Sequence, residues 1–295
     1  MSIALITGIE GFTGRYLAKE LDQHGYCVAG IGLRHRPIDI PLECYEQVDL
    51  LDSDATCLAI KRIQPDIVFH LAGISHVQSS PDLIYRINVA ASRNLLAALA
   101  GMAHPPAFTL MVSSANIYGN TEGMQNEDTL PAPCNDYAVS KLAMEYMAKI
   151  WQPHLHIAVV RPFNYTGRGQ GNTFVIPKLI HHFRERLSVI ELGNTQVIRE
   201  FGDVRDVVSI YTRLAKSRAP WGPFNICTGT GYSLHEVIKM LRELTGYSPE
   251  IRISNKFVRP NEVHTLIGSS KFLEKYIGSI TRIPLEETLR WMLED

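Results

Sequence analysis

The sequence predicts an α/β fold, a doubly wound, mostly parallel sheet with a smaller α/β substrate lobe towards the C-terminus. Three observations carry this expectation. Short β-rich runs alternate with helical patterns through about the first 165 residues, which is the rhythm of successive βαβ units. A glycine-rich turn follows the first of those runs directly. The 295 residues are 45% hydrophobic, enough to fill a substantial core.

The elements follow in order. "SIALITG" opens as a buried strand, and apolar positions at helical spacing predict a helix near Phe12 to His24. The strand "YCVAGIG" comes next, then "CYEQVDL", a helix from about Asp52 to Ile63, and the strand "DIVFHLAG". A helix from Pro81 to Leu99, the strand "FTLMVSS", a helix opening at Tyr137 and the strand "HIAVVRPFN" complete the alternation. Beyond "RPFNYTG" the pattern loosens into the loop "GRGQGNTF", a helix near Ile176 to Arg186 and the strand "SVIELG". A helix from Val204 to Lys216, the strand "FNICTG", a helix beginning at Ser233, the strand "IRIS" and short terminal helices end the chain. The simplest division gives residues 1–165 to a dinucleotide-binding domain, with 203–226 returning to it, and 166–202 and 227–295 to a second lobe.

Composition narrows the function classes. Twenty-nine basic against 30 acidic residues leave a formal charge of -1, so no global field recruits nucleic acid or an anionic membrane. Any anionic ligand must be held by local groups. The start "MSIALITGIEG" has no basic leader, and no apolar run approaches bilayer length, so a cytoplasmic location is expected. Cys27, Cys44, Cys57, Cys134 and Cys227 are scattered, without the close pairs of a zinc site or disulfide framework, and no metal is expected.

"ITGIEGFTGRYLAKEL" sets Gly8, Gly11 and Gly14 between the first strand and the first helix, with Phe12 and Thr13 among them. Glycine lets the backbone approach a pyrophosphate, whose charge is stabilised by free amides at a helix N-terminus. The G-x-x-G-x-x-G spacing is a variant of the dinucleotide fingerprint of Rossmann-like sheets. In such sheets an acid ending the second strand accepts the adenosine ribose hydroxyls and favours NAD. Here Gly32 stands at that place, followed by Arg34, His35 and Arg36, whose cationic donors suit a 2′-phosphate. NADP(H) is therefore the favoured cofactor, with NAD(H) the other possibility and a solvated basic loop the plain alternative. Asp49 and Leu50, after the third strand, are candidate adenine contacts, although Asp49 reads equally well as a helix cap.

"PCNDYAVSKLAMEY" places Tyr137 and Lys141 four positions apart, on one helical face. Alone, such a pair is commonplace on exposed helices. The preceding strand, however, ends in Ser113 and Ser114 at the edge where the glycine loop also lies. An ammonium near a phenol, with a cofactor's positive ring close by, favours phenolate and lowers the tyrosine pKa towards neutrality, while a serine hydroxyl can orient a carbonyl. Together they predict a hydride-transfer site, with Tyr137 moving the proton and Ser114 polarising the oxygen.

With these motifs in place, the chain resembles the extended short-chain dehydrogenases/reductases of the nucleotide-sugar epimerase/dehydratase family. "TGIEGFTG", "DIVFHLAG", "INVAASRNLL", "VSSANIYG", "YAVSK", "RPFN" and "REFGDVRDVV" carry the resemblance across nearly the whole length. It implies Ser114, Tyr137 and Lys141 as a catalytic triad, with Lys141 also on the nicotinamide ribose. It further implies that Leu71, Ala72 and Gly73 of the "HLAG" loop, with Asn88, line the cofactor cleft, and that the protein is a homodimer formed through its Pro81 to Leu99 and Tyr137 helices. Ala115 and Asn116 follow Ser114 where related dehydratases carry an acid, and Asn116 stands where related epimerising reductases carry a cysteine. Cys134 lies near Tyr137 but reads more simply as structural. The expected activity is thus reduction of the 4-keto group of a nucleotide-linked 4-keto-6-deoxysugar. A 4-epimerase with retained NAD, and a non-catalytic cofactor-binding relative, stay as alternatives.

For the sugar nucleotide, Asn116, Asn164, Val175, Lys178, Arg199, Arg259 and Glu262 are the candidate contacts. Arginines suit a diphosphate and a carboxylate suits ribose hydroxyls. The R-P-x-E-V-x-x-L-x-G pattern at 259 to 268 is similar to the C-terminal signature of GDP-mannose dehydratases and related reductases, implying Arg259 on the diphosphate and Glu262 on a guanosine ribose. Ser269 and "YIGS" depart from that signature, so other deoxysugar nucleotides and heptose analogues stay open.

Overall fold

The computed structural model describes residues 1–75, 80–254, 257 and 263–294. Seven parallel strands form the main sheet: β1 Ile3–Thr7, β2 Cys27–Gly32, β3 Cys44–Gln47, β4 Ile67–His70, β5 Phe108–Val112, β6 Ile157–Pro162, and a last strand Phe224–Ile226. Their spatial order runs β3, β2, β1, β4, β5, β6 and then Phe224–Ile226. The order reverses between β1 and β4, the switch point at which sheets of this kind have their crevice, at the carboxyl ends of the strands. β1, β4 and β6 read as continuous apolar runs because helices cover both faces of the sheet.

Helices form where caps and periodicity agree. The Ser53–Ile63 helix starts at Asp52, whose side chain accepts from the amides of Asp54 and Ala55. Asn135 caps Asp136–Ile150 by accepting from Ala138 N at 2.9 Å, which fixes the first turn where Tyr137 sits. The Ser233 and Glu236 capping box opens Leu234–Thr245, and Gly246 closes it in the left-handed region. The expected Pro81 to Leu99 helix is present but interrupted. Pro81–Tyr85 and Ser92–Ala100 are α-helical, while Arg86–Ala91 is a π-turn. The Asn88 carbonyl, at the centre of this wider turn, accepts from Ser92 Oγ at 2.8 Å.

One core cluster joins the N-terminal helix α1 (Phe12–Gln23) to the Val204–Ser217 helix through Leu17, Leu21, Val207, Tyr211 and Leu214. A second lies on the opposite sheet face, around Ile60, Leu95, Leu99 and Met144. The smaller lobe has its own core among the helices Val175–Arg184, Leu234–Thr245 and Leu285–Leu293. Two short pairings stiffen it: Val189–Leu192 with Glu250–Ile253, and Ile198–Arg199 between Tyr232–Ser233 and Thr265–Leu266. No helix among the described residues is long and apolar enough to cross a membrane.

Candidate active site

The glycine turn lies at the crevice. Gly8 has φ +69°, and a Cβ there would stand 2.9 Å from Ala72 Cα, so the ends of β1 and β4 meet almost backbone to backbone. The helix that follows, α1, has no side-chain cap at Gly11. The amides of its first turn therefore remain available to a pyrophosphate. This cradle fits a dinucleotide, as its sequence spacing predicts.

Beneath it runs a buried polar chain. Thr7 and His70 end adjacent strands in register, and Thr7 Oγ1 lies 2.7 Å from His70 Nδ1. His70 Nε2 is 2.8 Å from Ser92 Oγ, and Thr7 Oγ1 also accepts from Ala72 N at 3.2 Å. Burial, helped by the nearby Lys141 charge, pushes the His70 pKa down to about 3, so its ring is neutral. Asn88, fully buried, accepts from Ile74 N at 2.8 Å and donates to Ser140 Oγ at 3.0 Å. It thereby pins the loop after β4 to the Tyr137 helix. A Cβ on Gly73 would lie 3.0 Å from Asn88 Oδ1 and 3.2 Å from Lys141 Nζ, a tight fit that either side chain would have to yield to.

Tyr137 and Lys141 share the buried face of Asp136–Ile150, at 7% and 6% exposure. That helix is locked to the sheet by Arg161, which donates from Nε to Glu145 Oε1 at 3.0 Å and from Nη2 to Glu145 Oε2 at 2.7 Å. Its remaining nitrogen donates to Tyr118 Oη at 3.0 Å, and Tyr118 donates to Asn225 Oδ1 at 2.7 Å. Ser114, rather than Ser113, faces the phenol: a hydrogen bond from Ser114 favours the Tyr137 phenolate. Ser114 Oγ accepts from Asn116 N at 3.2 Å and Asn116 Nδ2 at 3.1 Å, which leaves its own proton to donate.

Lys141 turns to a backbone carbonyl rather than to the phenol. Burial pushes Tyr137 up to about 12, and the Ser114 hydrogen bond offsets only part of that rise. The Lys141 ammonium instead donates to the Val112 carbonyl at 2.8 Å, and its own pKa falls to about 8 through burial, against the opposing charge of Glu145. Tyr137 is therefore a neutral phenol, which is the form of a proton donor.

The structure brings Gly8, Gly11, Phe12, Thr13, Gly14, Leu71, Ala72, Gly73, Asn88, Ser114, Asn116, Tyr137 and Lys141 to one sheet edge. Phe12 turns to stack on Tyr165, and Thr13 Oγ1 lies 2.7 Å from Tyr165 Oη. Asp49 takes the Leu51 amide at 2.9 Å; the helix cap is Asp52, and the Leu50 side chain belongs to the core. Arg34 is exposed just beyond β2. The other candidates lie in or beside the smaller lobe. Asn164 is exposed, and Val175 opens its helix. Lys178 donates to the Glu191 carbonyl at 2.6 Å and lies 3.9 Å over the Phe257 ring. Arg199 donates to the Val263 carbonyl. Two candidates remain, Arg259 and Glu262. Those two residues fall outside the described residues. Sequence reasoning missed Thr7, His70 and Ser140. A polar residue ending an otherwise apolar strand was the available signal for the first two.

Comparison with known proteins agrees with this geometry. The model of the NAD dependent epimerase/dehydratase family matches residues 4–227. A GDP-6-deoxy-D-talose 4-dehydrogenase of Aggregatibacter actinomycetemcomitans is 31% identical over 99% of this chain and 95% of its own. A GDP-6-deoxy-D-mannose reductase of Pseudomonas aeruginosa is 31% identical over 98% and 95%. Among solved structures, a Burkholderia cenocepacia J2315 protein provisionally described as an epimerase is 45% identical, covers 99% of this chain and 97% of its own, and has a TM-score of 0.94. MoeE5 with UDP-glucuronic acid and NAD is 29% identical over 99% and 98%, with a TM-score of 0.90. RMD from Pseudomonas aeruginosa with NADPH is 29% identical over 100% and 98%, with a TM-score of 0.87. The fold, the dinucleotide cradle and these relatives agree: the chain belongs to the NAD-dependent epimerase/dehydratase family of nucleotide-sugar-modifying, NAD(P)-binding enzymes.

Proposed function

We propose that this protein reduces the 4-keto group of a nucleotide-linked 4-keto-6-deoxysugar, with GDP-4-keto-6-deoxymannose as the substrate and GDP-rhamnose or a close analogue as the product. The observation that carries the reading is the buried pairing of Ser114 with a neutral Tyr137 at the carboxyl end of β5. When bound, the reduced nicotinamide supplies hydride. The chain's own residues then manage the developing oxyanion. Ser114, held as an acceptor by both nitrogens of Asn116, directs its proton at the keto oxygen. Tyr137 delivers its phenolic proton to that oxygen, and Lys141 stands behind it as the nearby cation. Asn116 offers an amide where dehydration would need a carboxylate, which supports reduction over loss of water.

The names of the two relatives support a GDP-linked 6-deoxyhexose: one is a dehydrogenase acting at position 4 of the talose isomer, the other a reductase of the mannose series. A homodimer is part of the reading. Leu83, Val139, Tyr146 and Ile150 are exposed apolar residues on the two helices expected to pair.

The test is incubation of the purified protein with GDP-4-keto-6-deoxymannose and reduced cofactor, following the cofactor absorbance. Stoichiometric consumption is expected, with about a 10²–10⁴-fold loss of rate in Tyr137→Phe. Sugar interconversion without added cofactor would establish a 4-epimerase instead. A Tyr137→Phe variant as active as the parent would remove the proton-transfer role.

A further inference from the structure

We propose that Glu10, inside the glycine turn, replaces the acid that ordinarily ends the second strand, binds the adenosine ribose and makes this protein select NAD(H) over NADP(H). The proposal rests on the dinucleotide reading of the crevice and is independent of which sugar is reduced.

The position expected to carry the acid is Gly32, the last residue of β2. A Cβ built on Gly32 would lie 1.5 Å from Glu10 Oε2. No side chain fits there while Glu10 holds its place, and the space that an Asp or Glu at position 32 would enter is filled by a carboxylate arriving from the neighbouring loop. The acid is relocated rather than lost.

The two carboxylate oxygens are used differently. Oε1 accepts from Leu33 N at 2.8 Å and from Arg34 N at 3.1 Å. Those are the first two backbone donors beyond β2, and a 2′-phosphate would need them. Oε2 is buried and receives no backbone amide; the Tyr45 phenol is the group that meets the Glu10 carboxylate on this side. An acceptor held in that state beside the dinucleotide cradle is matched by a ribose hydroxyl, which donates, and opposed by a phosphate oxygen, which does not.

The surrounding cations do not reverse this. Arg15 is paired with Asp39, and Arg36 donates to the Leu42 carbonyl. Tyr45 donates to the Arg34 carbonyl. Burial first, then the charge of Glu10 and its hydrogen bonding to the phenol, push the Tyr45 pKa up to about 12, which keeps that neighbour a neutral phenol beside the carboxylate. Arg34 is exposed and works through solvent, whereas the carboxylate is held by two amides. A 2′-phosphate carries nearly two charges and would meet this fixed anion at close range. The solved relatives include complexes with NAD and with NADPH, so the choice falls to residues particular to this chain.

The experiment measures binding of NADH and NADPH to the purified protein through the fluorescence of the reduced nicotinamide, with no sugar present. The parent is expected to bind NADH about tenfold or more tighter than NADPH. Glu10→Gln keeps an oxygen for the two amides and places an NH₂ where Oε2 stands, so the ratio should move towards NADPH by about tenfold. Glu10→Ala should also lose the preference. A parent that binds NADPH as tightly as NADH, or a Glu10→Gln variant that weakens both equally, overturns the proposal. If Glu10→Gln fails to fold, the parent ratio decides alone. Failure to bind either cofactor would overturn the dinucleotide reading as well. Tight binding with no turnover of the keto sugar would overturn only the proposed reaction.

Discussion

Removing the Glu145 carboxylate should destabilise the protein sharply, because Arg161 would be left charged in the interior. The two side chains are 6% and 8% exposed, and the guanidinium is met by both Glu145 oxygens and by the Tyr118 hydroxyl. The Glu145 partnership pushes the Arg161 pKa above its ordinary value, against the opposing effect of burial, so the residue does not escape by losing its proton. Breaking one side of such a pair costs about 3–5 kcal/mol. With an unfolding entropy of about 2.1 cal/mol/K per residue, the 295-residue chain carries roughly 0.6 kcal/mol/K. Glu145→Ala should therefore melt about 5–8 °C lower, read by circular dichroism at fixed protein concentration and pH. Replacing both partners, in Glu145→Leu with Arg161→Met, removes both desolvation costs and should recover most of the loss. If the single variant melts within a degree or so of the parent, or the double variant loses the sum of two singles, the reasoning about an uncompensated interior charge is refuted.

Two further outcomes follow from the same coordinates. The Lys141 pKa, lowered to about 8 from the usual 10.5, means that the folded protein sheds this proton before the unfolded chain does. Between those values the unfolded state binds more protons, so stability rises with pH across that window. With Lys141 as the cation proposed to stand behind Tyr137, turnover is expected to fall as pH passes about 8. A Lys141→Met variant should flatten the stability rise, and a parent rate that climbs steadily through the window would contradict the assignment. Tyr146 and Ile150 are 66% and 73% exposed on the Asp136–Ile150 helix. Tyr146→Asp with Ile150→Asp should turn a dimer into a monomer on size-exclusion with light scattering, and an unchanged mass would place the interface elsewhere.

Much of the fold was legible because its strands are continuous apolar runs divided by helices with clear caps, as at Asn135 and at Ser233 with Glu236. The placement of the candidate residues was legible for the same reason: helical spacing puts Tyr137 and Lys141 on one face, and a strand end delivers Ser114. The interruption at Arg86–Ala91 was not legible, since a π-turn leaves the apolar period nearly intact and depends on the tertiary bonds of Asn88. The bonding of Lys141 was not legible, because i to i+4 spacing gives proximity but not what each group is bonded to. The Val112 carbonyl that takes the Lys141 ammonium lies on another element. Glu10 escaped notice because its meaning depends on the distance between a loop and the end of a different strand.

The Val204–Ser217 helix, which covers α1, and the Phe224–Ile226 strand, which completes the sheet beside β6, are both encoded after most of the smaller lobe's first segment. During synthesis at about 5–20 residues per second, the apolar side of α1 waits roughly ten to forty seconds for its cover. Until then Leu17 and Leu21 have only the early strands of the sheet, around Ala4, Ile6 and Val28, to pack against, so the Val204–Ser217 helix is expected to complete their burial late.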